Sequence, residues 1–222
     1  PVVDYEKIKP YIERIQEGEK DVLWPKTPLY FCKTSGTTSG TKYIPISKES
    51  MPFHIKCAKD AILSYTAETG NTNALKGGNI FIQGSPELDE SKNIPVGRLS
   101  GIVAHYIPWY LQSSNFPSFK TNCIEDWEEK LDVIIDETLS ENMTLISGIP
   151  PWVQMYFEKI VAKTGRQISE VFPNFSLLIF GGVAFEPYRK SFKQLIGKDI
   201  PSVETYPSSE GFIAYQDSQL EE

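Results

Sequence analysis

The sequence predicts an α/β fold with a mainly parallel or mixed sheet flanked by helices. The first observation is that strand-like and helix-like segments alternate throughout the second half of the chain, as they do in βαβ units. The second is that the helical patterns end at glycines such as Gly70 and Gly165, whereas the strand-like runs are short and rich in Ile, Leu and Phe.

The composition is that of an ordinary globular protein and excludes several classes of function. The chain has 222 residues, of which 40% are hydrophobic and 23% charged, with a net charge of -7. An acidic chain without a basic block is a poor partner for nucleic acid or an anionic membrane, and no obligate protein partner is predicted. The three cysteines are widely spaced and fit no metal motif, which favours reduced thiols and a cytoplasmic protein.

In the first half of the chain, apolar residues at helical spacing predict a helix over 5–15, with Pro10 as a break and Gly18 as the stop. Ser47 is then expected to cap a long helix that ends at Gly70. One face of that helix is predicted to be buried: Met51, Ile55, Ala58, Ile62 and Tyr65. A short strand over 79–84 and a surface loop over 85–99 follow. The apolar run 99–111 is compatible with either a strand or a helix.

In the second half, segment 124–141 has acidic residues in its first turn and a clear apolar stripe, which predict an amphipathic helix. The elements predicted after it are, in order, a strand over 143–149, a helix from Pro150 to Gly165, a strand over 175–182, a helix over 186–197, and strands over 202–207 and 211–216. Ligands of such sheets bind beyond the carboxyl ends of the strands. We therefore expect the loops 34–42, 147–151, 181–185 and 206–211 to form a site there.

The loop 34–42, with the sequence TSGTTSGTK, has a composition suited to binding polyphosphate. Gly36 and Gly40 allow the chain to curl so that successive backbone N–H groups point inward. The hydroxyl side chains between them add donors, and Lys42 adds a positive charge. The loop does not match the P-loop of nucleotide-binding proteins, since three residues separate its glycines and Tyr43 follows the lysine.

Five segments, taken in their order along the chain, resemble one family. TSGTTSGTK (34–42) resembles the phosphate-binding signature of acyl-adenylate-forming enzymes, and FGGVAFEPYR (180–189) resembles the loop that lies along the adenine. YPSSEG (206–211) is similar to the Tyr-x-x-Ser-Glu motif. Together with segments 4–25 and 211–217, they resemble the auxin-responsive-promoter family, the plant acyl acid–amido synthetases and their bacterial relatives. The resemblance covers essentially the whole chain.

The resemblance implies an ATP- and Mg²⁺-dependent ligase. Such an enzyme activates a carboxylic acid as an acyl-adenylate and couples it to an amino acid. The implied catalytic residues are Lys42 and Glu210, and Glu210 is also the implied ligand of Mg²⁺, which prefers hard oxygen ligands. The implied ATP-binding residues are Thr34, Ser35, Gly36, Thr37, Thr38, Ser39, Gly40, Gly181, Gly182, Val183, Tyr206, Pro207, Ser208 and Ser209.

Within that set, Tyr206 offers a flat face for the adenine, with Val183 and Phe185 as further apolar contacts. Each feature also has a plainer interpretation. The glycine pair could be a simple strand-to-helix turn, Tyr206 an ordinary strand aromatic, and Glu210 a solvated carboxylate. Two positions depart from the common family pattern: Thr34 stands where a serine is frequent, and Pro207 stiffens its turn.

The resemblance also implies that 1–222 is part of one ATP- and acyl-binding α/β domain, with N- and C-terminal portions absent, among them the small C-terminal domain. The isolated chain is then expected to be inactive. Two alternatives stay open: thioester formation with coenzyme A, and a non-catalytic remnant that binds nucleotide.

Overall fold

The computed structural model describes residues 3–35, 40–91 and 93–219. The helices are α1 (Tyr5–Gln16), α2 (Met51–Thr69), α3 (Leu99–Ala104), α4 (Phe119–Asn122), α5 (Trp127–Thr138), α6 (Pro150–Thr164), α7 (Ile168–Val171) and α8 (Glu186–Ile196). The strands are β1 (Tyr30–Ser35), β2 (Thr41–Ile46), β3 (Gly78–Ile82), β4 (Val96–Gly97), β5 (Asn115–Phe116), β6 (Met143–Gly148), β7 (Leu177–Gly181), β8 (Ser202–Ser208) and β9 (Gly211–Tyr215).

The main sheet has six strands in the order β5-β3-β6-β7-β8-β9. Every neighbouring pair in it is parallel except β8 and β9, which form an antiparallel hairpin. Helices α6 and α7 lie between β6 and β7, and α8 lies between β7 and β8, because parallel strands need a crossover connection. The predicted α/β class with a mainly parallel, mixed sheet is confirmed.

Helices cover both faces of the main sheet. On one face, α5, α6 and α8 enclose the largest apolar cluster, which includes Ile146, Tyr156 and Phe157. On the other face, Ala61 and Tyr65 of α2 pack with residues of β6, β7 and β8. Neighbouring residues of one strand, such as Leu145 and Ile146, therefore belong to different clusters, because successive side chains of a strand point to opposite faces of the sheet.

A second sheet of three strands, β2-β1-β4, stands apart from the main sheet. Strands β1 and β2 form an antiparallel hairpin, and β4 runs parallel to β1. One of its clusters contains Phe31 together with Ile12 and Ile15 of α1. Another contains Cys32 and Ile46 together with Met51 of α2. The small sheet was not predicted, because the two-residue strand β4 lies within the segment predicted as a loop.

The predicted break at Pro10 is wrong. Helix α1 runs through this residue, and the Asp4 side chain caps its start by accepting from the Lys7 N–H at 3.1 Å. Proline removes the hydrogen bond that would reach the carbonyl of Glu6, but both residues are exposed, so water can satisfy that carbonyl. Burial of Ile12 and Ile15 holds the helix on the small sheet beyond the proline.

Helix α2 begins later than predicted. Ser50, not Ser47, occupies its N-cap, and the two serines exchange backbone-to-hydroxyl hydrogen bonds of 3.0 Å each. The predicted apolar stripe is correct at Met51 and Tyr65, but Ala58 is exposed and His54 is buried in its place. The reason is that the two ends of the helix pack on different clusters, and Ala58 falls between them.

The ambiguous run 99–111 is helical, comprising α3 and a 3₁₀ turn that starts at Trp109. Helices α5, α6 and α8 agree with the sequence predictions to within a few residues, and α6 and α8 end at Gly165 and Gly197 in the left-handed conformation. Among the described helices, none combines the length and the apolar character that crossing a membrane requires.

Candidate functional site

Three loops meet at the carboxyl edge of the main sheet. Strand β6 leads into α6 at Gly148, β7 leads into α8 at Gly181, and β8 ends at the turn Ser209–Glu210. Because the three strands are parallel neighbours, their carboxyl ends lie side by side. The predicted loops 147–151, 181–185 and 206–211 therefore border one region, as expected.

The loop 34–42 differs from the expectation of a single sheet. It joins the two antiparallel strands of the small sheet, with Thr34 paired to Lys42 and Ser35 paired to Thr41. Gly40 is exposed and has a φ of 77°, a conformation that favours glycine. Gly36, Thr37, Thr38 and Ser39 lie outside the described residues.

A hydrogen bond connects this hairpin to the main sheet. The thiol of Cys32 donates to the hydroxyl of Ser209, with Sγ and Oγ 3.0 Å apart, although the two residues are separated by 177 positions in sequence. Cys32 is paired with Ile44, and the Thr34–Lys42 pair lies two residues further along β1, or about 7 Å. The hairpin and the turn that carries Glu210 are thus adjacent.

Lys42 is half-buried, and its ammonium nitrogen lies 5.4 Å from the centre of the Tyr5 ring. The Tyr5 hydroxyl accepts a 2.9 Å hydrogen bond from the backbone N–H of Tyr43, so α1 supports this strand directly. In the described part of the chain, no carboxylate forms an ion pair with Lys42. Its positive charge therefore remains available to an anionic ligand.

Glu210 is exposed at the tip of the β8–β9 hairpin. Its carboxylate accepts a hydrogen bond from the Ser208 hydroxyl, whose oxygen in turn accepts the Glu210 N–H at 3.2 Å. Within the described residues it has no cationic partner, and no group of three or more His, Cys, Asp or Glu side chains is placed to hold a metal. One free carboxylate fits Mg²⁺, which commonly takes one or two protein carboxylates and completes its shell with phosphates and water.

The glycine pair after β7 has a clear conformational role. A Cβ at Gly181 would lie 2.2 Å from the carbonyl oxygen of Thr205, the residue opposite it on β8. Gly182 has a φ of 85°, and a Cβ there would meet Ile149 at 3.1 Å. The close strand pairing and the turn thus explain both glycines, and the exposed backbone beyond them is left open to a ligand.

Of the three apolar candidates for contact with a base, two are accessible. Tyr206 is 59% exposed and Val183 is 42% exposed. Phe185 instead packs into the core, where its ring stacks on Phe180 with the ring centres 4.4 Å apart. Pro207 lies at an irregularity in the β8–β9 pairing, next to Tyr206.

Sequence reasoning missed Lys130, a lysine that is only 2% exposed. Its ammonium group donates to the carbonyls of Gln83 at 3.1 Å and Asn122 at 2.7 Å, which ties α5 to the end of β3 and to α4. Burial lowers the pKa of Lys130. The signal was present in the sequence, because Lys130 precedes Ile134 by one helical turn and so lies on the buried stripe.

A cavity of about 250 Å³ opens beside the hairpin and was also not predicted. It is lined by residues of both charges and by β4: Lys33, Tyr43, Ser85, Glu87, Asp89, Val96, Gly97 and Arg98. It lies on the face of β1 that carries Lys33, the neighbour of Cys32, and hence on the side opposite the Ser209 contact.

The parallel sheet, the loops at its carboxyl edge and the adjoining hairpin define an α/β domain with a candidate ligand-binding site. The model of the GH3 family N-terminal domain matches residues 1–125 and 87–201 of the chain. The chain therefore belongs to the GH3 family. No curated protein sequence matches it.

Two solved structures give the same fold at low sequence identity. One is described as GH3.15 acyl acid amido synthetase, with a TM-score of 0.73, 14% identity and 100% of this chain covered. The other is AtGH3.15 acyl acid amido synthetase in complex with 2,4-DB, with a TM-score of 0.67, 14% identity and 98% covered. In each case the match covers 48% of the solved chain, so this chain spans about half the length of these relatives.

Proposed function

We propose that this chain is the nucleotide- and acyl-binding part of an ATP-dependent acid–amino acid ligase. The enzyme activates a carboxylic acid as an acyl-adenylate and then forms an amide with an amino acid. The observation that carries the proposal is the Cys32–Ser209 hydrogen bond, since it joins the hairpin with Lys42 to the turn with Glu210. Membership of the GH3 family supports the same reading.

The hairpin is proposed to bind the β- and γ-phosphates of ATP. Thr34, Ser35 and Gly40 border the loop, and the candidates Gly36, Thr37, Thr38 and Ser39 lie between them in sequence. Lys42 carries a positive charge without an ion-pair partner among the described residues, so its interaction with a phosphate competes with no existing ion pair. In a partly buried position such a charge interacts more strongly than it would in bulk water.

The base and the metal are assigned to the two loops of the main sheet. The exposed ring of Tyr206 is available for stacking, and the backbone at Gly181 and Gly182 together with Val183 can border the adenine. Glu210 would hold Mg²⁺. When bound, this ion supplies charge neutralisation on the phosphates.

The hydroxyl of Ser209 can still donate a hydrogen bond to a ligand in this arrangement. Its oxygen accepts the hydrogen bond from Cys32, so its own O–H proton remains available to donate. We assign that donor to a phosphate oxygen of ATP or to the carboxylate of the acid.

In the proposed first step a carboxylate oxygen attacks the α-phosphorus and pyrophosphate leaves. In the second step the amine of an amino acid attacks the acyl carbonyl and AMP leaves. Lys42 stabilises the charge that develops on the phosphates, because it is held in place before the reaction by β2 and by Tyr5. The acidic net charge of -7 supports small-molecule partners over nucleic acid or an anionic membrane, and we assign the protein to the cytoplasm.

The test is ATP–pyrophosphate exchange by the natural gene product in its full length, with a panel of carboxylic acids. We expect exchange that depends on Mg²⁺ and on one class of acid. Absence of exchange with every acid would contradict the ligase assignment and favour a non-catalytic protein that binds nucleotide. The 222-residue chain alone is expected to turn over poorly, since it spans about half the length of its structural relatives.

A second assay identifies the acyl acceptor. Amino acids and coenzyme A are supplied separately to the exchange-competent protein, and the product is identified by mass spectrometry. An amide supports the proposal. A thioester as the sole product would contradict its second step.

A further inference from the structure

We propose that Cys32 is a positioning residue of this adenylation site. Its thiol fixes the Ser209–Glu210 turn against the small sheet, and so sets the distance between Glu210 and the phosphate hairpin. The inference rests on the proposed function and assigns a role to a residue that touches neither ATP nor the acid.

The thiol of Cys32 connects three segments of the chain. Its S–H donates to the Ser209 hydroxyl, with the two heavy atoms 3.0 Å apart. The Cys32 side chain also packs in one apolar cluster with Leu99 and Ile102 of α3. One buried side chain thus contacts both α3 and the β8–β9 turn from β1.

The protonation state of Cys32 suits this role. The side chain is 1% exposed, and burial raises the pKa of its thiol. The negative charge of Glu210 acts in the same direction. The group therefore stays an S–H donor at neutral pH.

The turn itself is otherwise tied mainly to its own hairpin. The Ser208 hydroxyl interacts with both the carboxylate and the N–H of Glu210, and Ser208 pairs with Gly211 across the turn. These local bonds shape the turn but do not locate it relative to Lys42. The Cys32–Ser209 bond does, because β1 is paired directly with the strand that carries Lys42.

The experiment compares three variants of the full-length protein: Cys32→Ala, Cys32→Ser and, as a matched control, Cys57→Ala on α2. The readouts are the affinity for a non-hydrolysable ATP analogue with Mg²⁺, the Mg²⁺ concentration at half-maximal exchange, and the melting temperature. Loss of one hydrogen bond in Cys32→Ala should weaken the affinity for the ATP analogue about three- to tenfold. It should raise the Mg²⁺ concentration at half-maximal exchange by about the same factor. Cys32→Ser keeps a donor of similar size and should restore both to within about twofold.

A purely structural role for Cys32 gives a different pattern. It would lower the melting temperature of Cys32→Ala and leave the Mg²⁺ midpoint and the analogue affinity unchanged, which overturns the inference. Equal losses in the Ser and Ala variants would also overturn it, because the serine hydroxyl can donate the same hydrogen bond to Ser209.

Failure of the proposed function is recognised separately. If the wild-type protein binds the analogue but catalyses no exchange, the ligase assignment fails while the analogue affinity still tests Cys32. If it binds no nucleotide, both proposals fall. Should Cys32→Ala not fold, Cys32→Val fills the buried position with an apolar side chain and removes the same donor. Where Cys32→Ala folds, its effect on affinity and that of Ser209→Ala should be less than additive in the double variant, because both changes remove one bond.

Discussion

The two sheets of this protein differ in how they are anchored, although both contribute to one candidate site. The main sheet rests on an extended core between it and α5, α6 and α8, in which residues such as Tyr156 and Phe157 are fully buried. The small sheet rests on two modest clusters, one against α1 and one against the start of α2. The turn with Glu210 therefore belongs to a sheet with a large apolar core, whereas the hairpin with Lys42 belongs to a sheet with two small ones.

Helix α2 is the element that the two sheets share. Met51 and Ile55 pack on the small sheet, and Ala61 and Tyr65 pack on the main sheet. Along with the Cys32–Ser209 bond, this helix determines how the hairpin lies relative to the carboxyl edge. Changes that act on one sheet alone should therefore have separable effects on stability and on activity.

The largest expected effect is on global stability and uses a matched pair of isoleucines. Ile146 of β6 is 0% exposed in the main core, and Ile46 of β2 is 1% exposed in the small cluster. We expect Ile146→Ala to lower the free energy of unfolding by about 4 kcal/mol and Ile46→Ala by about 2 kcal/mol, since a small cluster collapses more easily around a deletion. Urea denaturation followed by circular dichroism measures both. Equal costs would mean that the two sheets are anchored alike.

The second effect is on catalysis. Lys42→Ala should slow pyrophosphate exchange about 100-fold, because it removes the charge assigned to the phosphates. The free energy of unfolding should fall by no more than about 1 kcal/mol, the value of a partly exposed contact between a cation and the Tyr5 ring. Lys48→Ala, an exposed lysine just after β2, is the matched control and should change neither quantity. A loss of stability in Lys42→Ala that accounts for the lost activity would contradict the phosphate role.

The smallest effect is a pH dependence at the small-sheet end of α2. His54 is 5% exposed, and burial lowers its pKa below the ordinary value of 6.5. As the pH falls below 6.5, the unfolded chain binds a proton at this histidine before the folded protein does, so stability decreases until the pH reaches the folded pKa. Because one proton is involved, the free energy of unfolding can change through His54 by no more than about 1.4 kcal/mol per pH unit.

The variant His54→Leu isolates this contribution. Its free energy of unfolding, measured by urea denaturation between pH 7.5 and 5, should fall less steeply than that of the wild type. The difference between the two curves removes the contributions of carboxylates that titrate in both proteins. Parallel curves would show that His54 takes up its proton equally well in the folded and unfolded states.

Much of the second half of the chain could be predicted from local patterns. The stripe of Leu131, Ile134 and Ile135 and the glycine stops at Gly165 and Gly197 depend on residues a few positions apart, which is the range that helical periodicity reports. The first half was harder because its pairings are distant in sequence. Strand β4 has two residues and is recognisable only through its pairing with β1, more than 60 positions earlier. Pro10 is tolerated because Ile12 and Ile15 beyond it are buried against the small sheet. The residues around the proline do not reveal that tertiary contact.

The sequence by itself determined the α/β class and the order of most elements, because periodicity and glycine stops are properties of neighbouring residues. It also predicted the Lys42 loop as part of a candidate site. Only the tertiary structure decided that the loop belongs to a separate sheet, that Phe185 faces the core, and that Lys130 is buried against two carbonyls. It also decided that Cys32 meets Ser209. Such contacts depend on how whole sheets and helices pack, and that packing is fixed by the burial of apolar surface summed over distant segments.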